Sequence, residues 1–162
     1  MLDYCAGGGG KSLALAAMGA QVTAHDINPA RLRDLPHRAE RAGATITLTD
    51  APTGTFDLVL VDVPCSGSGS WRRSPDAKWR LTPERLDQLI GIQAQILQDT
   101  LAYVRPGGRL AYVTCSLLVR ENERQIADFL AGKSELTLTG QRRFTPTEGG
   151  DGFYLAVMQK PF

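Results

Sequence analysis

Short apolar runs alternate with polar stretches of helical period along the chain, the pattern of an α/β fold with a mostly parallel sheet. Met1–Tyr4 reads as the tail of a first strand, followed by a glycine loop and a helix over about Lys11–Met18. Val22–His25 is a second strand that delivers Asp26, and Asn28-Pro29 supplies an N-cap with proline at the first helical position. Pro36 should kink or split the helix that follows. Thr45–Leu48 is a third strand ending near Asp50, and Phe56–Val61 is a near-continuous apolar run suited to a central strand buried on both faces. A glycine-, serine- and arginine-rich loop then runs from Asp62 to about Arg80, and Thr82-Pro83-Glu84 opens a helix of roughly five turns to Tyr103. Pro106-Gly107-Gly108 turns the chain into strand Arg109–Val113, and a further helix spans about Arg120–Ala131 and stops at Gly132. Leu136–Thr139 and Phe153–Met158 finish the sheet as a hairpin-like pair.

At 162 residues, without repeats or an interdomain linker, residues 1–162 read as one domain with a proper core. No apolar run approaches the ~20 residues that cross a bilayer, and the N-terminus lacks a signal-peptide pattern, so a cytoplasmic protein without membrane contact is expected. The net charge of +1 excludes neither a nucleic acid nor a small molecule as partner, so local charge must decide. Because the chain starts inside its first strand, an N-terminally truncated domain is expected. Cys5, Cys65 and Cys115 are too few and too scattered for a disulfide framework, and without a Cys-x-x-Cys pair they form no zinc site. That leaves packing or thiol chemistry.

The segment Asp3-Tyr4-Cys5-Ala6-Gly7-Gly8-Gly9-Gly10-Lys11-Ser12 joins the first strand to its helix. Its glycines let backbone approach a ligand closely, and the helix start offers free N–H groups. A phosphate-binding P-loop would need glycine in place of Cys5, and the dinucleotide pattern anchored on Gly7 and Gly9 would need glycine in place of Ser12. Asp26, ending the second strand, is placed to accept both ribose hydroxyls of an adenosine, and Asp50, ending the third, to reach an adenine amino group. Each also reads as a turn or helix-capping aspartate.

Cys65 follows the fourth strand and Cys115 the fifth, and in a doubly wound sheet the carboxyl ends of these strands face the ligand crevice. Free cysteines are often small buried fillers, the role expected for Cys5; two at neighbouring strand ends point instead to chemistry. Carbon 5 of cytosine is a poor nucleophile until a thiolate adds to carbon 6 and turns the ring into an enamine-like species that attacks a methyl donor. Protonation or strong hydrogen bonding at ring nitrogen 3 helps this addition, and Asp62 can supply it if its carboxyl is protonated or shares a proton. The residues alone leave open which cysteine attacks.

The chain resembles the Sun/Fmu-type RNA cytosine methyltransferases over almost its whole length. Asp3–Ser12 is similar to that family's cofactor motif Asp-x-Cys-Ala-Ala-Pro-Gly-Gly-Lys, with Gly7 and Gly8 in place of Ala-Pro. Asp62-Val63-Pro64-Cys65-Ser66-Gly67, Thr114-Cys115-Ser116 with Glu121-Asn122-Glu123, and Gly150-Asp151-Gly152-Phe153-Tyr154 resemble its remaining motifs, as does Arg72-Arg73-Ser74-Pro75-Asp76 with Trp79. The resemblance implies a Rossmann-like class I methyltransferase sheet of seven strands in the order 3-2-1-4-5-7-6, strand 7 antiparallel, with helices on both faces. It implies S-adenosyl-L-methionine as cofactor, held by Cys5, Ala6, Gly7, Gly8, Gly9, Gly10, Lys11, Asp26, Asp50 and Asp62. It also implies Cys115 as nucleophile and Cys65 as the group that helps release the product, with RNA as substrate: ribosomal RNA first, transfer RNA behind it.

Between Trp71 and Arg85 five basic residues are interleaved with Trp71 and Trp79, a composition suited to single-stranded RNA, with Arg72, Arg73 and Lys78 as candidate phosphate contacts. A solvated loop with packed tryptophans is the plainer reading. Two other functions compete: a cofactor- or RNA-binding module without catalysis, and a small-molecule methyltransferase.

Overall fold

In the computed structural model, which describes residues 1–162, the apolar run Phe56–Asp62 forms the central strand β4, and Val59, Leu60 and Val61 are all buried because helices cover both of its faces. On one side β4 pairs with β1 (Leu2–Asp3), which leads outward to β2 (Val22–Ala24) and β3 (Ile46–Leu48). On the other side it pairs with β5 (Val104–Thr114), followed by β7 (Phe153–Gln159) and the edge strand β6 (Thr137–Phe144). The sheet therefore has the order β3-β2-β1-β4-β5-β7-β6, with β7 alone running against the rest. This is the expected doubly wound topology, and its strand order reverses between β1 and β4, where such sheets bind ligands.

Helices α1 (Gly10–Ala17), α2 (Leu35–Arg41), α4 (Pro83–Thr100) and α5 (Glu123–Leu130) supply the crossovers and cover. Leu97, Ile126 and Phe129 pack on Val59, Val61, Leu110, Tyr112, Tyr154 and Met158 to form the main core on one face. Leu60, Ala111 and Val113 with Leu15 and Leu155 close the opposite face. Along β7, Tyr154, Ala156 and Met158 are buried while their neighbours are less so, the period-2 signature of a strand with one well-covered face.

Proline placement explains two boundaries. Asn28 accepts from the Ala30 N–H at 3.1 Å and starts a single 3₁₀ turn, Pro29–Leu32; α2 then begins afresh with Pro36 in its first turn, the expected split. Thr82 caps α4 through the Arg85 N–H at 3.2 Å, and the helix tightens to a 3₁₀ turn at Leu101–Tyr103.

Three elements differ from expectation. Pro106-Gly107-Gly108 does not precede β5 but lies within it as a bulge: Phe56 pairs with Val104, and Leu58 with Arg109. β6 continues to Phe144, well past Thr139, because an edge strand bulged at Gly140 and mostly exposed carries little apolar alternation. The loop after β4 contains a 3₁₀ turn at Ser68–Ser70 and a short helix, α3 (Asp76–Arg80).

Candidate active site

The glycine loop leaves β1 and folds onto the end of β2, where the Ala6 N–H donates to the His25 carbonyl at 2.9 Å. Gly9 takes φ 76°, and a Cβ there would lie 2.1 Å from Leu35 Cδ1, so only glycine lets α1 start against α2. Asp26, 2% exposed, ties the loop down: its carboxylate accepts the Gly7 N–H at 2.9 Å and the Asn28 N–H at 3.0 Å, and pairs with Arg31 at 3.2 Å.

Two cavities flank this carboxylate. One, about 390 Å³ and polar, is lined by Asp3, Gly7, Gly8, Lys11 and Asp62; the other, about 220 Å³, is walled by Tyr4, Ile27, Pro64, Ile92 and Ile96. Cys5 and Arg31 line both. A larger cavity of about 640 Å³ opens at the opposite edge of the sheet, between Ala16, Thr23 and Phe56, and has no thiol in its wall. The two smaller cavities lie at the carboxyl ends of the strands, and a further cavity of about 350 Å³ has Cys65 in its wall, with Ser66, Arg80 and Arg85.

Asp3 is a participant the sequence showed only as a motif letter. It is 1% exposed; Ser12 donates to its Oδ2 at 2.6 Å, while the buried Oδ1 has no partner. Burial, the largest influence, lifts its carboxyl to about 6. The Cys5 thiol is pushed up to about 12, by burial first and then by the charge of Asp26, which suits a cavity wall and not a nucleophile. Asp50 is exposed at the end of β3 and lines neither cavity.

Pairing of β4 with β5 places Asp62 opposite Val113, and just beyond it the thiols of Cys65 and Cys115 meet with Sγ–Sγ 3.4 Å. The contact polarises the pair. Cys115 falls to about 7, chiefly because the Cys65 thiol donates to it, with its own backbone N–H and the Lys11 charge adding to the effect against burial and Asp62. Cys65, as donor, moves far upward and keeps its proton. Lys11 Nζ meets Asp62 Oδ2 at 2.5 Å, so the carboxyl group expected to serve ring nitrogen 3 is engaged by this lysine.

The basic loop is arranged differently from a free phosphate comb. Arg72 and Arg73 both pair with the nearly buried Asp151, each at 2.6 Å. Lys78 lies 5.4 Å from the Trp79 ring centroid, and Trp79 is 82% exposed, whereas Trp71 is half-buried. The Gly150-Asp151-Gly152 motif also acquires a role. The Gly69 N–H donates to the Cys115 carbonyl at 2.9 Å and the Gly152 N–H to the Gly69 carbonyl at 2.8 Å. A Cβ on Gly69 would lie 2.1 Å from Gly152 O, so the loop after Cys65 is stitched directly to Cys115.

A family model described as 16S rRNA methyltransferase RsmB/F matches residues 1–159. The chain belongs to that family. Among its curated relatives, ribosomal RNA small subunit methyltransferase B of Klebsiella pneumoniae is 36% identical over 99% of this chain, which spans 42% of that relative. The crystal structure of PH0851 superposes with TM-score 0.91 at 29% identity, covering 98% of this chain and 42% of that one. A methyltransferase homologue from Pyrococcus horikoshii superposes with TM-score 0.82 at 26% identity, covering 98% and 60%.

Proposed function

We propose that the chain transfers a methyl group from S-adenosylmethionine to carbon 5 of a cytosine in small-subunit ribosomal RNA, through a covalent Cys115–carbon 6 intermediate. The polarised thiol pair, a Cys115 held near 7 against a protonated Cys65 at 3.4 Å, carries this reading. The substrate class follows the names of the RsmB/F relatives.

The residues at the two cavities fit the cofactor. The unpartnered Asp3 Oδ1 is a buried acceptor suited to the ammonium of its amino acid part, and Asp26 with the Gly7–Gly10 backbone suits the ribose. Ile27, Pro64 and Ile96 offer apolar walls for adenine. When bound, S-adenosylmethionine supplies an electrophilic methyl group.

Cys115 attacks as thiolate: its sulfur bonds carbon 6, and the displaced ring electron pair is drawn toward nitrogen 3 and carbon 5. The Lys11 ammonium, oriented by Asp62, donates toward nitrogen 3 and stabilises the charge that develops there. After methylation the carbon-5 proton leaves to water, the sulfur–carbon 6 bond breaks, and its electron pair returns to Cys115. Cys65 lies within hydrogen-bonding distance of that sulfur, so by donating to it Cys65 stabilises the departing thiolate through the same bond that acidifies it beforehand. RNA is met by Lys78 and the exposed Trp79, with the Arg72–Arg73–Asp151 cluster presenting its remaining N–H groups. No helix is long and apolar enough to cross a membrane, and we place the reaction in the cytoplasm.

The test incubates wild type, Cys65→Ala and Cys115→Ala with labelled 16S ribosomal RNA and S-adenosylmethionine at pH 8.5, followed by denaturing electrophoresis. Cys65→Ala should trap a methylated, denaturation-resistant protein–RNA adduct, and Cys115→Ala should give neither adduct nor product. A trapped band from Cys115→Ala alone would reverse the two roles. No transfer in any variant would leave the non-catalytic binding module as the better reading.

A further inference from the structure

Glu121 takes no part in the reaction as written, yet it is fully buried and no lysine or arginine touches it. A buried carboxylate without a cation is costly unless donors surround it. Four do. Oε1 accepts the Ser66 backbone N–H at 2.8 Å and Gln93 Nε2 at 3.0 Å; Oε2 accepts the hydroxyls of Ser66 and Ser116, each at 2.5 Å.

The identity of these donors is what matters. Ser66 follows Cys65 and Ser116 follows Cys115, so one carboxylate grips the residue after each thiol. The grip is fixed from outside: Gln93 on α4 also donates to the Pro64 carbonyl at 3.0 Å, and Tyr112 OH donates to the Glu121 carbonyl at 2.7 Å. Asn122 adds a second brace, accepting from Thr114 Oγ1 at 2.6 Å and donating to the Ser116 carbonyl at 2.9 Å.

We propose that Glu121 is a positioning residue for the two-thiol reaction: it clamps Ser66 to Ser116 and thereby holds the sulfurs of Cys65 and Cys115 at hydrogen-bonding distance. The inference rests on the two-thiol reading above. It makes Glu121 necessary both for forming the attacking thiolate and for releasing it, although its side chain lies away from the cavities.

Position and charge can be separated because they act in opposite directions. Cys115 is faced by the Cys65 thiol, by Lys11 from α1 and by Asp62 from β4. If Glu121 acted only as a nearby negative charge, replacing it with glutamine would make the thiols more acidic. If it acts as a clamp, the amide of Glu121→Gln offers a donor where four donors already converge. The sulfurs then separate, and Cys115 loses the hydrogen bond that acidifies it.

The experiment is iodoacetamide alkylation of the chain across pH 5.5–10, with the modified cysteine assigned by peptide mass spectrometry. Wild-type Cys115 should show a midpoint near 7, and Glu121→Gln should raise it by more than one pH unit, with the midpoint partly restored in Glu121→Asp. Ser66→Ala and Ser116→Ala, which each remove one link and keep the acid, should raise it in the same direction. Circular dichroism restricts the comparison to folded variants, and the two serine variants decide the matter if the glutamine variant does not fold. An unchanged or lowered midpoint in the folded variants would overturn the clamp while leaving the two-thiol reading intact. A wild-type midpoint at the ordinary cysteine value would instead overturn that reading itself.

Discussion

Removing the Cys65 thiol tests the coupling on which the proposed chemistry depends. Donation from Cys65 is the largest influence holding Cys115 near 7, so Cys65→Ala should return it toward its ordinary value of 9.0. At pH 7 the thiolate fraction then falls from about one half to about one hundredth, roughly fifty-fold. The more basic thiolate is also the better nucleophile, with a slope of about 0.4–0.5 per pH unit, which gives back roughly eight-fold. The net expectation is an alkylation rate at Cys115 about six-fold slower than wild type at pH 7 and several-fold faster at pH 10. The two rate–pH curves therefore cross. A loss of folding or of access would depress the rate at every pH, so the crossing is specific to the hydrogen bond. Cys65→Ser, whose hydroxyl can still donate, should lie between the two. Parallel curves for wild type and Cys65→Ala would refute the polarised pair. The same crossing explains why adduct trapping is set at pH 8.5, where the alanine variant regains enough thiolate to attack.

Asp3 should trade stability for binding. Its carboxyl is raised from 3.8 to about 6, so its favourable contribution is complete below 3.8 and is lost as pH rises through 6. Asp3→Asn should therefore stabilise the fold at pH 7.5 by at most about 3 kcal/mol, with no gain at pH 3.5, as measured by denaturant unfolding. The same variant should bind S-adenosylhomocysteine more weakly by calorimetry; unchanged affinity would remove Asp3 from the cofactor site. For RNA, Lys78→Ala should flatten the salt dependence of binding by about one counterion, and Arg72→Ala/Arg73→Ala by about one in total, because Asp151 already offsets one of their two charges. A slope reduced by two or more in the double variant would mean that both arginines leave Asp151 to meet phosphate.

The individual strands and the positions of the two cysteines at strand ends were legible because both are local signals, while the order of the sheet was implied by the family resemblance. Val59-Leu60-Val61 declares a strand buried on both faces, and Cys65 and Cys115 each stand a few residues beyond a strand end. β6 was only half legible because Gln141-Arg142 pairs through its backbone while its side chains are exposed. Asp50, which reads as a strand-end ligand in sequence, is left exposed by the outer strand. Arg72 and Arg73 look like free cations until the fold brings Asp151 from 79 positions away in the chain. The acidity of Cys115 and the clamp were not legible at all. Glu121 is 55 residues from Ser66 and five from Ser116, and nothing in Glu121-Asn122-Glu123 marks the first acid as buried and the last as half-exposed. Composition presents the two as equivalent. What separates them is direction: Glu123 turns outward to pair with Arg143 at 2.6 Å, while Glu121 turns inward among donors that already belong to the cysteine loops. A motif can thus mark the thiols as candidates, whereas the 3.4 Å contact between them depends on strands β4 and β5 lying side by side.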